Sequence, residues 1–310
     1  MNYRTIEDMN QAILRRLSIF PRDIDLIVGI PRSGMFPANL LALYLNRRVT
    51  DLGSFLNGHI YQSGERGKFI DAGDFKKVLV VDDSIASGSA MNRCKEMLKG
   101  LEGKYEIQYC AIYVVPEKKQ MVDYYVELAP LPRYFQWNIM NHTVLKKACF
   151  DIDGVLCVDP TAEENDDGPR YREFLLNAKP LFIPGAEIGT LVTSRLEKYR
   201  AETEQWLARN GVKYDRLVML DLPDMAARRR ANCHASFKAE EYRKQQYVLF
   251  VESNPAQAVE INRLTKKPVL CTADFKMVFD SKSVIYNIKQ GEYLPWLRRA
   301  ALKLRNRLRR

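Results

Sequence analysis

Residues 78–89 read VLVVDDSIASGS, and this stretch decides the fold of the first half of the chain. Its four β-prone apolar residues, 78–81, predict a buried strand. Gly88 and the serines around it predict a turn whose backbone N–H groups can surround a phosphate at a helix N-terminus. Asp82 and Asp83, at the end of the strand, can accept hydrogen bonds from a vicinal diol. The stretch therefore predicts a ribose-phosphate site.

Residues 26–34, LIVGIPRSG, form a second short strand that runs into a tight turn, and a helical pattern follows from Met35 to Leu45. A proline–glycine turn between a strand and a helix is common in α/β proteins. Its position about 50 residues before the acidic pair makes it a more specific signal, because the two segments together resemble the type I phosphoribosyltransferases. In that family, the first segment binds diphosphate and the second binds phosphoribosyl pyrophosphate (PRPP).

The resemblance implies that Asp82 and Asp83 hold the ribose 2- and 3-hydroxyls and that the serine-rich turn holds the 5-phosphate. Residues 58–68, GHIYQSGERGK, are typical of a mobile basic lid that closes over PRPP and excludes water, although a solvated hairpin tip is an alternative. The predicted PRPP-binding residues are Arg32, Ser33, Gly34, Arg66, Lys68, Asp82, Asp83, Ser84, Ala86, Ser87, Gly88 and Ser89.

Residues 148–156, ACFDIDGVL, form an apolar strand that ends in Asp-x-Asp-Gly-Val. This segment resembles the first motif of the haloacid dehalogenase-like (HAD) phosphatases. By that resemblance, Asp151 attacks phosphorus to form an aspartyl-phosphate, and Asp153 protonates the leaving oxygen and later activates water. The resemblance also implies Mg²⁺, which offsets the repulsion between a carboxylate and a phosphate dianion.

The remaining HAD motifs predict three further residues. The strand at 188–195 places Thr193 as the donor to the phosphoryl oxygen, with Ser194 as the alternative. Lys238 is the lysine that we expect to balance the phosphate charge, rather than Lys213 or Lys244.

The fourth motif follows the strand at 247–251, where Glu252 stands in place of the usual aspartate and Asn254 follows. The longer glutamate side chain changes the expected geometry of the metal site. The predicted metal ligands are Asp151, Asp153 and Glu252.

Length and composition bound the architecture. A chain of 310 residues with 46% hydrophobic content fits two domains, each large enough for its own core. Strands alternate with amphipathic helices in both halves, which predicts an α/β protein with two doubly wound parallel sheets. We expect a phosphoribosyltransferase domain over 1–146, an uncapped HAD-like domain over 147–290 and a basic amphipathic helix over 291–310.

The sequence also predicts where the protein resides. The N-terminus is polar and no apolar run is long enough to span a membrane, so we expect a cytoplasmic protein. The six cysteines lack paired spacing and favour buried free thiols. The three histidines are dispersed and predict no metal site.

The net charge of +10 is concentrated at the C-terminus, where residues 291–310 carry seven basic residues and one glutamate. Leucines and an alanine at helical spacing form an apolar stripe within residues 294–310. This pattern predicts peripheral contact with an anionic membrane, and a terminal helix docked on its own domain is the alternative. We expect no nucleic-acid partner, because no recognition module is present.

The short segments between the HAD motifs leave no room for a large cap domain, so we expect an open phosphatase site that suits a large substrate. Transfer from PRPP leaves a 5-phosphate on the product, which an adjacent phosphatase can remove. This pairing resembles the bifunctional enzymes of bacterial polysaccharide assembly, which add ribofuranose to a lipid-linked glycan. The predicted acceptor contacts are Trp137, Asn138, Asn141 and His142.

Two alternatives to the glycan hypothesis remain open at the level of sequence. The first is a nucleobase phosphoribosyltransferase coupled to a 5'-nucleotidase, which would need a base-recognition hood. The second is a regulatory protein that senses PRPP without turning it over, and the intact phosphatase motif argues against it.

Overall fold

A computed structural model describes residues 1–61, 75–244 and 246–279. The chain divides into two compact units, Met1–Trp137 and a second that begins at Asn138. This division lies nine residues before the predicted start of the second domain at Lys147. Arg66, Lys68 and the basic segment 291–310 lie outside the described residues.

The first unit is built on a five-stranded parallel sheet of order β3-β2-β4-β5-β6, and a two-stranded parallel sheet, β1-β7, stands apart from it. The strands are β1 (Asn2–Arg4), β2 (Leu26–Gly29), β3 (Arg48–Asp51), β4 (Lys77–Ile85), β5 (Glu106–Val114), β6 (Tyr124–Leu128) and β7 (Arg133–Phe135). The helices are α1 (Ile6–Arg15), α2 (Met35–Leu45), α3 (Leu52–Leu56) and α4 (Ser89–Leu98).

Successive side chains along each strand point to opposite faces of the five-stranded sheet, so a separate hydrophobic core lies on each face. Ile27 and Leu79 pack with residues of α1 and α2, whereas Val28 and Val80 pack with residues of α3 and α4. Period-two alternation of buried residues on both faces is what a doubly wound parallel sheet requires. The carboxyl ends of β2 and β4, which pair in parallel, therefore meet at one edge of the sheet.

The second unit contains a six-stranded sheet of order β10-β9-β8-β11-β12-β13. Its strands are β8 (Ala148–Phe150), β9 (Ile188–Leu196), β10 (Tyr214–Leu220), β11 (Leu249–Glu252), β12 (Val269–Cys271) and β13 (Lys276–Val278). Its helices are α5 (Pro169–Asn177), α6 (Arg200–Arg209), α7 (Met225–Ala231), α8 (His234–Lys244) and α9 (Pro255–Thr265). Short 3₁₀ helices occupy Leu17–Ile19, Lys99–Leu101, Pro116–Met121, Ile139–Asn141, Thr143–Lys147 and Glu197–Tyr199.

The predicted α/β class with parallel sheets is confirmed, and β13 is an antiparallel exception because it pairs with β12 in the opposite direction. One core of the second unit joins Phe250 of β11 to Tyr242 of α8 and Ile261 of α9. The strands β8, β9 and β11 are parallel neighbours, so their carboxyl ends lie side by side. Among the described residues, no helix is both long enough and apolar enough to cross a bilayer.

Candidate functional site

The acidic pair lies within β4, not beyond its end. The strand continues past Val81 to Ile85 because β5 extends alongside it, pairing Ser84 with Tyr113. Both carboxylates are buried, Asp82 with 5% and Asp83 with 4% of their surface exposed. The Asp82 Oδ1 atom accepts a hydrogen bond from the Asp83 backbone N–H at 2.8 Å, which fixes the two acids relative to each other.

Asp83 joins three separate segments of the first unit. Its Oδ1 accepts from Ser33 Oγ at 2.8 Å, and its Oδ2 accepts from the indole Nε1 of Trp137 at 2.8 Å. The loop after β2 also lies directly against β4, because a Cβ atom on Gly34 would stand 2.8 Å from the Val81 carbonyl oxygen. Only glycine permits this approach. Arg32, at the tip of the same loop, is exposed.

The turn that follows β4 is arranged as the sequence predicts. Gly88 adopts a positive φ of 86° and immediately precedes α4. The Ser87 and Ser89 hydroxyls are 3.0 Å apart, and both residues are exposed, as is Ala86. The backbone N–H groups at the start of a helix favour an anion. This turn therefore offers hydroxyl and amide donors to a phosphate.

Burial controls the electrostatics of the acidic pair. It raises the pKa of Asp82 to about 7, and the neighbouring Asp83 carboxylate adds to the rise. Arg133 is buried nearby and donates to the carbonyls of Tyr113 and Ala129 at 3.2 and 3.4 Å. Burial lowers the pKa of Arg133, while both acids oppose that shift. The pair is poised to accept hydrogen bonds from neutral hydroxyls, which need no counter-charge.

The four predicted acceptor residues fall into different units. Trp137 closes the first unit and stacks on Phe135, with ring centroids 4.7 Å apart. Asn138, Asn141 and His142 begin the second unit, where Asn141 Oδ1 accepts from the Gly185 N–H at 3.0 Å and His142 Nδ1 accepts from the Val144 N–H at 3.0 Å.

The polar groups of Asn141 and His142 thus accept from backbone N–H groups, one distant in sequence and one nearby, which is a structural use that was not predicted. Of the predicted set, Trp137 is the residue that the structure places at the acidic pair.

A second cluster of charges lies at the carboxyl edge of the second sheet. Lys238 of α8 is 1% exposed, and its Nζ lies 2.6 Å from Asp151 Oδ2 and 2.7 Å from Glu252 Oε2. Gln257 Oε1 accepts from the same ammonium at 2.9 Å. Gln257 was not predicted from the sequence, although its place in the first turn of α9, three residues after Asn254, was a usable signal. The alternative lysine Lys244 is instead exposed and pairs with Glu240.

One ammonium balances two carboxylates in this cluster. Burial disfavours the Lys238 ammonium, but the charges of Asp151 and Glu252 outweigh that effect and raise its pKa. Burial raises the pKa of Asp151, Lys238 opposes the rise, and Glu252 adds to it. Such a group can serve as a carboxylate nucleophile when a cationic partner holds it in the charged form.

The side chain of Asp153 forms an ion pair that was not predicted from the sequence. The buried guanidinium of Arg195 donates to both of its carboxylate oxygens, with Nη2 2.6 Å from Oδ1 and Nε 3.1 Å from Oδ2. Thr193 is fully buried, and its Oγ1 accepts from the Arg195 backbone N–H at 3.2 Å. Ser194 is the residue of this segment that lines a cavity, and its buried Oγ has no hydrogen-bond partner among the described residues.

Two cavities open onto these residues. The larger has a volume of about 630 Å³ and is lined by Asp151, Asp153, Glu252 and Gln257, among others. The smaller, about 160 Å³, also contains Asp151 and Asp153 and adds Ser194 and Lys238. Both acids of the Asp-x-Asp motif therefore face space that a phosphate ester can enter.

Gly154, the residue after the motif, is required by close packing. It has a φ of 72°, and a Cβ atom on it would lie 2.2 Å from Ser253 Oγ. That hydroxyl donates to the backbone carbonyl of Asp153 at 3.3 Å, which ties the β8 loop to the β11 loop. The glycine thus brings the motif residues and Glu252 to one edge.

The predicted metal ligand set needs correction. Asp151 and Glu252 already share one cation, the Lys238 ammonium, and their oxygens suit Mg²⁺. The Asp153 carboxylate is instead engaged by Arg195. Within 1–61, 75–244 and 246–279, no three acidic, histidine or cysteine side chains converge in a metal-binding arrangement. Of the three predicted ligands, Asp151 and Glu252 thus lie together on the Lys238 ammonium, whereas the Asp153 side chain is held by Arg195.

Comparison with known proteins assigns the first unit. Residues 3–139 match the family model of the phosphoribosyl transferase domain. Over 110 residues the chain is 33% identical to the xanthine-guanine phosphoribosyltransferase of Chromohalobacter salexigens, an alignment that covers 34% of this chain and 62% of that protein. The chain thus spans less than two thirds of that relative's length.

Two solved structures align with the chain at low similarity. The xanthine-guanine-hypoxanthine phosphoribosyltransferase of Helicobacter pylori has 18% identity and a TM-score of 0.34, covering 44% of this chain and 92% of its own. A purine phosphoribosyltransferase of Pyrococcus horikoshii has 25% identity and a TM-score of 0.32 over the same shares. By the match over residues 3–139, the N-terminal unit is a type I phosphoribosyltransferase domain.

Proposed function

We propose that this chain carries out two consecutive reactions, phosphoribosyl transfer from PRPP and then removal of the 5-phosphate from the product. One observation carries the proposal. A chain with a phosphoribosyltransferase domain also holds, at a second sheet edge, a buried carboxylate–lysine–carboxylate cluster beside a cavity. A transferase of this kind makes a phosphate ester, and such a cluster suits the cleavage of one.

In the transfer step, Asp82 and Asp83 accept hydrogen bonds from the ribose hydroxyls, and the turn at Gly88 holds the 5-phosphate. The acceptor attacks C1 of the ribose, the bond from C1 to the diphosphate oxygen breaks, and diphosphate leaves with the proton that the acceptor N–H or O–H gives up. The exposed Arg32 supplies positive charge toward the leaving group. Mg²⁺, when bound, adds further neutralisation of the diphosphate charge.

In the second step, the Asp151 carboxylate attacks phosphorus and the bond from phosphorus to the ribose O5 breaks. Asp153 gives a proton to O5. The product alcohol then departs, and an aspartyl-phosphate remains on Asp151. Water then attacks phosphorus, Asp153 takes up its proton, the bond from phosphorus to the Asp151 oxygen breaks, and phosphate departs. Lys238 holds Asp151 in position and balances its charge throughout, and Asp151 and Glu252 would hold Mg²⁺, which offsets the repulsion between nucleophile and phosphate.

The comparisons favour a nucleobase as the acceptor. The curated relative is named a xanthine-guanine phosphoribosyltransferase, and Trp137 places an indole directly beside the ribose-binding Asp83. A flat aromatic ring suits the face of a purine. The final product would then be a nucleoside. The first unit also has a small separate sheet, β1-β7, which leads into Trp137 and suits a base-recognition hood.

A glycan acceptor is the second candidate, and a feature of the second site favours it. Between β8 and β9 the chain forms α5 and no inserted domain, so nothing encloses the 630 Å³ cavity in this segment. An uncovered site admits a large substrate, whereas a small one is normally enclosed. The final product would then carry a β-ribofuranosyl residue. Contact of residues 294–310 with an anionic membrane would belong to this candidate.

The two acceptor classes separate in one experiment. The full chain is incubated with PRPP and Mg²⁺ together with xanthine, guanine, hypoxanthine, adenine or oligosaccharides, and the products are identified by mass spectrometry. A nucleoside with free phosphate supports the first candidate, and a pentosyl adduct of a saccharide supports the second. PRPP that binds without turnover would instead indicate the regulatory alternative. An Asp82→Asn, Asp83→Asn variant is the control for transfer.

A further inference from the structure

Arg195 is the most completely buried arginine near the second site. Its side chain has no exposed surface, and it stands near the end of β9 beside the Asp-x-Asp motif. It lines neither cavity, whereas its partner Asp153 lines both. A buried guanidinium is costly unless it is fully paired. Its position therefore calls for a role that acts through Asp153.

The guanidinium is held from two further directions. Its Nη1 donates to Thr203 Oγ1 of α6 at 3.4 Å, and its Nη2 lies 3.2 Å from Cys157 Sγ. The planar fork of an arginine loses little freedom when each edge is used, so it holds a carboxylate in one orientation. Asp153 is thus oriented by Arg195 of β9 and by Cys157 of its own loop, and Arg195 is itself held by Thr203 of helix α6.

The two oxygens of Asp153 are not equivalent. Oδ1 accepts from Arg195 Nη2 at 2.6 Å and Nε at 3.2 Å, and from Cys157 Sγ at 3.5 Å. Within the described part of the chain, Oδ2 has one donor, Arg195 Nε at 3.1 Å. Oδ2 therefore retains the capacity to exchange a proton with substrate or water.

We infer that Arg195 is a positioning residue that fixes the Asp153 carboxyl group so that Oδ2 carries the proton in both halves of phosphate-ester hydrolysis. This inference rests on the proposed phosphatase function. In the first half, Oδ2–H gives its proton to the leaving oxygen while the Asp151–phosphorus bond forms. In the second half, Oδ2 takes a proton from the attacking water while that bond breaks. Arg195 itself exchanges no proton and touches no substrate.

The test compares two substrates that differ in their need for a proton. Ribose 5-phosphate releases an alkoxide, which needs protonation, whereas p-nitrophenyl phosphate releases a phenolate that departs without it. In Arg195→Met, the single-turnover rate with ribose 5-phosphate should fall about 10²-fold. With p-nitrophenyl phosphate, the variant should show a burst of one nitrophenolate per protein at nearly the parental rate, followed by slow release of phosphate.

Three controls make the outcome decisive. Arg200→Met removes a partly exposed arginine that pairs with Glu197 and should leave both rates unchanged. Arg195→Lys keeps the buried charge but loses the fork, and should show the same split between substrates if Arg195→Met fails to fold. The hydrolysis rate of the Asp153→Asn variant should not fall further when Arg195→Met is added, because the arginine acts through that carboxyl group.

The role of Arg195 would be overturned if its variants lost hydrolysis rate equally with both substrates and showed no burst. It would also be overturned if they lost no rate with either substrate. If the parental protein hydrolyses neither substrate, the proposed phosphatase function itself fails, which is a separate result.

Discussion

Lys238 Nζ lies 2.6 Å from Asp151 Oδ2, although the two residues are 87 positions apart in the chain. The same ammonium lies 2.7 Å from Glu252 Oε2, so one cation is shared by two buried carboxylates. Strands β8 and β11 bring the acids together, and helix α8 supplies the lysine. Removing one partner from a buried charge cluster leaves the others uncompensated, which makes this contact a sensitive point for both stability and chemistry.

We expect Lys238→Met to abolish phosphate-ester hydrolysis and to lower the free energy of unfolding by about 3–5 kcal/mol. Lys213→Met is the matched control, since it is an exposed lysine of the same unit, and it should change stability by less than about 0.5 kcal/mol. Denaturant unfolding and phosphate release measure the two effects. Parental hydrolysis by a folded Lys238→Met protein would contradict the proposed role of the cluster.

The acidic pair predicts a pH dependence of stability. Burial raises the pKa of Asp82 from 3.8, the value of an unperturbed aspartate, to about 7 in the folded protein, so between these values the folded state holds a proton that the unfolded chain releases. Stability from this group is therefore present at low pH and lost as pH rises toward 7.

Asp82→Asn should accordingly raise the melting temperature at pH 8 by at least about 2 °C, and this gain should vanish near pH 4. The asparagine oxygen can still accept from the Asp83 N–H, which preserves the local backbone. Melting curves across this pH range make the comparison. A variant that is less stable than the parent at pH 8 would show that the charged Asp82 stabilises the fold.

Trp137→Phe should weaken PRPP binding about tenfold, because the change removes one hydrogen bond to the Asp83 carboxylate while keeping a ring against Phe135. Ser33→Ala removes the other donor and should have a similar effect. Isothermal titration with PRPP measures both, and Ser18→Ala, an exposed serine of the same unit, is the control. Unchanged affinity in both variants would rule out a positioning role for the two donors.

The two units should be separable by mutation. Asp82→Asn combined with Asp83→Asn should abolish phosphoribosyl transfer and leave hydrolysis of ribose 5-phosphate intact, since each unit has its own core. Assays of both reactions on the folded variant check this expectation. Loss of both activities would contradict the assignment of the reactions to different units.

Much of this architecture follows from the sequence, because its signals are local. Buried runs such as 78–81 predict strands, and the polar residues that follow them predict one carboxyl edge with Asp82 in the first unit and another with Asp151 in the second. Lys238 was selected by the motif order, and the structure places it against Asp151. The extension of β4 to Ile85 was missed because it depends on pairing with β5, which a single segment does not encode.

The contacts that escaped prediction are long-range side-chain pairs. Arg195 and Asp153 are 42 residues apart, and nothing in either segment identifies the other as its partner. The choice between Thr193 and Ser194 depends on which side chain of β9 faces the cavity, and this follows from strand register. Placing the Asp153 side chain among the metal ligands failed for the same reason, since Arg195 competes for that carboxylate.

The central claim is that a phosphoribosylated product is made first and dephosphorylated second. Asp151→Asn keeps the shape of the nucleophile but removes its charge, so the aspartyl-phosphate cannot form while transfer continues. Incubated with PRPP, Mg²⁺ and a competent acceptor, this variant should accumulate an acceptor heavier by one phosphopentosyl unit in the mass spectrum. The parental chain should give the pentosyl adduct and free phosphate. Phosphate release from the product by Asp151→Asn at the parental rate would contradict the account.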